Sequence, residues 1–262
     1  QDGRRQSVSG RGGGGPLSAP FCATCVLLLA ATSGACAADF KINPTSVEPG
    51  EISLEENSAA VAERGRSTDS SQAHFLELGY GVTQYWWTEV EGHFESGTDG
   101  LRFRTVDFEN AIRLTRQSGY WPESAIFLEY DAPVIGSSPE GATLGGLFRE
   151  ELGRSSTTIN VLLDREFGRN AAPGTQLTYT GMSVWTVLPE ISPGVRFFGA
   201  PGRVANFNRL GAQDQRIGPA LAGDIEIEGA GQFSYNIAYL VGLTPAAPHG
   251  TVVWGLEYDI RF

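Results

Sequence analysis

The chain has 262 residues, 34 glycines and a formal net charge of −11. Such acidity excludes nucleic acid as a partner, because phosphate binding needs a basic surface. Beyond residue 37 there is no run of about eighteen apolar residues, so no transmembrane helix is expected and a membrane crossing would have to be a closed β-barrel.

In chain order, Val26 to Ala31 forms a short apolar core behind Arg4, Arg5 and Arg11, and Ala35-Cys36-Ala37 supplies small residues for cleavage. Residues 1–37 therefore read as a leader and signal peptide, removed on export. Lipid attachment at Cys36 is the alternative, disfavoured by Ser33 where a leucine is normally required. Cys22, Cys25 and Cys36 all fall in this leader, so the exported chain relies on neither disulfide nor thiolate chemistry. Residues 38–51, with Pro44, Pro49 and Gly50, show no period and read as a periplasmic lead-in.

From Ile52 onward a two-residue period takes over. The first segment, to about Ala62, alternates poorly. Leu76, Leu78, Tyr80 and Val82 then oppose Glu77, Gly79 and Gly81, and Trp86, Thr88, Val90 and Phe94 oppose Trp87, Glu89, Glu91 and His93. Similar runs follow around Phe108, Leu128, Leu144, Val161, Tyr179, Val195 to Phe198, Ile225 and Tyr239. The last stretch sets Val252, Trp254, Leu256, Tyr258, Ile260 and Phe262 against Val253, Gly255, Glu257, Asp259 and Arg261. Such a strand suits either a soluble sandwich or a barrel with lipid outside and a polar lumen inside. Three features favour the barrel. Most runs reach the nine or so residues needed to cross a bilayer; short turns (82–84, 153–155, 229–231) alternate with longer loops (64–71, 132–140, 168–174, 200–214, 244–250); and Trp86, Tyr120, Trp121, Trp185, Trp254 and Tyr258 fall near strand ends, as interfacial aromatics do. The expected fold is all-β, a transmembrane antiparallel up-and-down barrel of about 12 strands (range 10–14) over residues 52–262.

Several phrases carry a resemblance: Val47 to Glu51 (Val-Glu-Pro-Gly-Glu), Leu76 to Thr83, Asp164 to Gly168 and Trp254 to Tyr258. They resemble the proteobacterial outer-membrane family named for the MetA pathway of phenol degradation, whose members are regarded as transporters. The resemblance implies an outer-membrane barrel more firmly than it implies phenol, and its motifs mark no catalytic centre. The aromatic carboxy-terminus likewise resembles the signal read by the barrel-assembly machinery.

The chemistry expected of the chain lies in its lumen. No phosphate-cradling loop and no His-Glu-x-x-His pattern occurs, and His93 beside Glu89 and Glu91 reads as a wall residue before it reads as a metal or proton site. No catalytic residue, cofactor or metal is expected. The residues expected to line the lumen are Glu77, Glu89, Glu91, His93, Asp107, Glu109, Arg113, Glu129, Asp131, Asp164, Glu166, Arg216, Asp224, Glu226, Glu257, Asp259 and Arg261. They suggest a monomeric outer-membrane channel or transporter for small solutes, aromatic or cationic, in contact with membrane lipid. The alternative is a non-conducting barrel, its lumen closed by salt bridges, that acts as a surface-binding or structural protein through loop 200–214.

Overall fold

A computed structural model describes residues 40–62, 70–97, 100–119, 121–134, 136 and 138–260. The leader with its expected signal peptide, Tyr120, Arg261 and Phe262 lie outside the described residues. The elements are β1 (Ile52–Ala62), β2 (Ser70–Thr83), β3 (Trp86–Gly97), β4 (Gly100–Thr115), β5 (Glu123–Pro133), β6 (Glu140–Leu152), β7 (Ser155–Phe167), β8 (Gln176–Trp185), β9 (Ser192–Arg203), β10 (Asn206–Phe207), β11 (Asp214–Ile227), β12 (Gly231–Gly242) and β13 (Gly250–Ile260). Every pairing is antiparallel between neighbours, and β13 pairs back onto β1 from Ile52↔Ile260 to Ala62↔Gly250. The sheet is thus a closed barrel of twelve wall strands; β10 is a two-residue hairpin return on β9.

Wall strands of 10 to 16 residues are long enough to cross a bilayer at a tilt. Their outward positions carry Leu78, Val90, Phe108, Leu128, Leu144, Ile217, Ile237 and Leu256, each more than two-fifths exposed. An apolar surface of that extent, encircling the wall, is the pattern of a barrel whose outer face meets the hydrocarbon of a bilayer. Inward positions alternate with these and hold Ala59, Phe75, Glu91, Glu109, Phe127, Leu147, Asn160, Thr180 and Val253, all nearly inaccessible.

Two local irregularities have physical causes. The poor alternation of β1 arises because Glu56 and Ser58 face outward yet find polar partners there: Trp254 Nε1 donates to Glu56 at 3.0 Å, and Ser58 Oγ lies 2.8 Å from His74 Nδ1. The run expected around Val195 to Phe198 extends over all of β9, so the loop expected at 200–214 begins only after Arg203 and contains β10 and a single 3-10 turn, Leu210–Ala212.

Larger than either is the course of residues 40–51. The sequence reading set this stretch ahead of the wall as a lead-in; its described residues enter the barrel. Phe40, Lys41, Asn43, Thr45 and Glu51 are buried, and they meet inward side chains on opposite sides of the wall. A segment can do so only from inside the lumen.

The lipid-facing wall has a direct test. Leu128→Arg, at the outward midpoint of β5, is expected to lower stability by roughly 2–4 kcal/mol in bilayer refolding titrations, with a correspondingly smaller folded, fast-migrating gel band.

Candidate functional site

The cross-strand register builds the site. Glu55 on β1 faces Glu77 on β2, Glu77 faces Glu91 on β3, Glu91 faces Asp107 on β4, and Asp107 faces Asp131 on β5. One step along the barrel, Glu89 faces Glu109 and Glu109 faces Glu129. On the other side of β1, Glu55 also faces Glu257 of β13. Directly opposed like charges repel, so a belt of this kind cannot stand without cations or protons.

Lys41 supplies a cation. Its ammonium lies 2.9 Å from Glu109, 3.3 Å from Glu89 and 3.4 Å from Glu91, and it is ion-paired with Glu77 as well. The side chain is only 5% exposed, so water screens none of these contacts. Burial alone would lower the lysine pKa; the four carboxylates outweigh it and hold the ammonium well above its ordinary value.

The rest of the segment is fastened by polar contacts to distant strands. Asn43 N donates to Asn160 Oδ1 at 2.7 Å, and Asn160 Nδ2 returns a bond to Asn43 O at 3.1 Å. Thr45 and Ser46 both donate to Glu123, the latter at 2.7 Å. Gly50 N donates to Gly81 O at 2.8 Å and Gly81 N to Glu51 O at 2.9 Å. Gly81 is required there, because a Cβ would collide with the carbonyl of Glu48. Opposite the acidic belt, Phe40 packs 4.5 Å from Phe198, with the Arg216 guanidinium 4.8 Å over its ring and Arg196 donating to its carbonyl. Carboxylates on β1 to β5 and arginines on β9 and β11 thus face each other across the plug.

Among the residues expected to line the lumen, Glu77, Glu89, Glu91, His93, Asp107, Glu109, Arg216 and Asp259 are buried on the inward face, and the half-buried Glu129, Asp131, Asp164 and Glu257 share it. Asp164 accepts from Thr143 at 2.9 Å and Thr178 at 3.1 Å. Arg113 reaches the end of the barrel, 3.6 Å from Glu123. Glu166, Asp224 and Glu226 are exposed, since their strands run past the enclosed part of the wall. His93 is not in a solvated position beside Glu89 and Glu91: its ring stacks on Phe75 at 4.3 Å, and the Glu95 carboxylate lies 3.7 Å from its Nε2. The outward Glu56, Ser58 and His74 group places both Ser58 and Glu56 at the same nitrogen, Nδ1, which makes no Glu–His–Ser relay.

Sequence reasoning did not place Lys41, Phe40, Asn43 or Glu55 in the site. A signal for the first was present: Lys41 is the only lysine in the chain, against 30 acidic residues.

No family model matches the chain, and no curated protein matches it. Among solved structures, the fold is similar to the COG4313 outer membrane channel from Pseudomonas putida F1, 10% identical, with a TM-score of 0.58 over 85% of this chain and 100% of that one. The translocator domain of autotransporter NalP from Neisseria meningitidis is matched at 9% identity and a TM-score of 0.48, over 81% of this chain and 88% of that one. At 10% identity the first of these likenesses concerns the fold, and that fold is the barrel implied by the resemblance in sequence.

Removing the lysine tests the site. Lys41→Met is expected to destabilise the barrel by about 3–5 kcal/mol at neutral pH, the cost of leaving a buried ionic cluster without one partner. The deficit is expected to shrink as the pH falls and the carboxylates take up protons, which urea titrations at pH 7.5 and pH 5 measure.

Proposed function

We propose that this protein is a monomeric outer-membrane channel for small cationic or polar solutes, described here in its closed state, with its own N-terminal segment as the plug. One observation carries the reading. The lumen holds an ammonium group, that of Lys41, between four carboxylates drawn from β2, β3 and β4. A passage that binds a tethered ammonium there has the chemistry to bind a free one once the tether leaves. On the opposite side of the plug the arginines of β9 and β11 hold the segment, and Arg216 is itself ion-paired with Asp214, so the uncompensated charge of this lumen is the acidic belt.

Export, assembly through the terminal strand and residence in the outer membrane belong to the same reading, as does the lack of catalysis. Aromatic solutes fit it where they carry a positive group. A specific observation favours a second reading, a non-conducting barrel that binds partners at its surface: the segment occupies the lumen, while the β9–β11 connection exposes Phe207 and Leu210.

Planar-bilayer recording separates the two. The complete protein is expected to show small, infrequent openings, and deletion of residues 38–50 to give large, stable, cation-preferring conductance. Absence of conductance from the folded deletion variant would eliminate the channel reading.

A further inference from the structure

The structure assigns a second cation site in this lumen: a divalent ion of the calcium class, held by Asp107, Glu129 and Asp131 on β4 and β5. One carboxylate oxygen from each lies within 4.8 Å of the other two. Calcium takes oxygen ligands at about 2.3–2.6 Å in adaptable geometry; three oxygens at the outer limit of that spacing would each stand about 2.8 Å from their centre, so side-chain shifts of a few tenths of an ångström bring all three onto one ion. The register produces this spacing, since Asp107 directly faces Asp131 while Glu129 lies two residues along β5 on the same face.

Acidic crowding alone would not make a site. Asp107, however, is only 3% exposed; Thr105 Oγ1 donates to its Oδ2 at 3.1 Å, and its Oδ1 is buried with no donor among the described residues. The Oδ1 of Asp131 is also buried and without a donor among the described residues. A buried carboxylate oxygen left so is costly unless a cation or a proton meets it. The side chains registered opposite Asp107 and Glu129 on β3 and β4 are Glu91 and Glu109, which are acids themselves. Gly141, registered opposite Asp131, leaves room for its carboxylate, because a Cβ there would collide with it.

The lumen contains its own comparison. Glu55, Glu77 and Glu89 form a second triad with the same 4.8 Å closeness, and the cation there is the ammonium of Lys41, which touches Glu77 and Glu89. Lys41 reaches Glu77, Glu89, Glu91 and Glu109 but is ion-paired with none of Asp107, Glu129 and Asp131. One triad is neutralised from within the chain, and the other is matched to an ion from solution. The inference does not depend on whether the barrel conducts.

The test is calorimetric titration of calcium chloride into the complete protein, refolded in detergent and stripped with EDTA. One saturable site per chain is expected, together with a calcium-dependent rise in melting temperature. D107N/D131N keeps the side-chain shapes and removes two charges; it is expected to lose affinity by roughly tenfold or more while retaining the folded gel band. E257Q, elsewhere on the acidic belt, is expected to bind as the wild type does. No saturable binding by the wild type would overturn the assignment, as would equal binding by D107N/D131N or an equal loss in E257Q. Should D107N/D131N fail to fold, the same titration on D131N decides.

Discussion

The organisation of this barrel turns on repulsion among its own carboxylates. Acidic side chains oppose one another through the register of β1 to β5, a pattern that costs free energy wherever it is desolvated. Lys41 offsets it at the centre of the belt. Because its ammonium must reach Glu77, Glu89, Glu91 and Glu109 together, the chain ahead of β1 has to turn back and lie inside the wall. The plug is thus held by the same charges that would otherwise oppose closure of the barrel.

Packing reinforces the electrostatics. Twelve strands enclose more space than wall side chains alone can fill, and the interior shows two apolar clusters, each completed by the segment. Phe40 joins Phe75, Phe198, Leu240 and Val253, while Val47 packs against the cluster of Trp87, Phe127 and Leu147. The same stretch that neutralises the belt therefore supplies apolar filling, and its release would cost both kinds of contact at once. Such coupling suits an element that is either seated or withdrawn, with little in between.

How much of this was legible in sequence follows from the range of the interactions. Strand parity was readable because each wall strand separates two solvents, so Leu128 and Glu129, or Leu256 and Glu257, declare their faces with no knowledge of partners. Even the irregular β1 is explicable once Glu56 and Ser58 are seen to bond Trp254 and His74. The plug leaves no such trace. Its backbone has no period, and the contact between Asn43 and Asn160 spans 117 residues of sequence. Glu166, Asp224 and Glu226 were placed on the right parity but lie beyond the enclosed lumen, since alternation tells which face a residue takes and not how far along the barrel the lumen is closed.

The central claim is that residues 40–51 occupy the lumen of the folded barrel. Its most direct test is the rate at which a bulky maleimide labels a single cysteine at position 43, in a variant that lacks Cys22, Cys25 and Cys36, assayed in membranes. Asn43 is 3% exposed and bonded to Asn160, so labelling is expected to be blocked until heat or denaturant opens the barrel. Rapid, complete labelling of the folded protein would contradict the account.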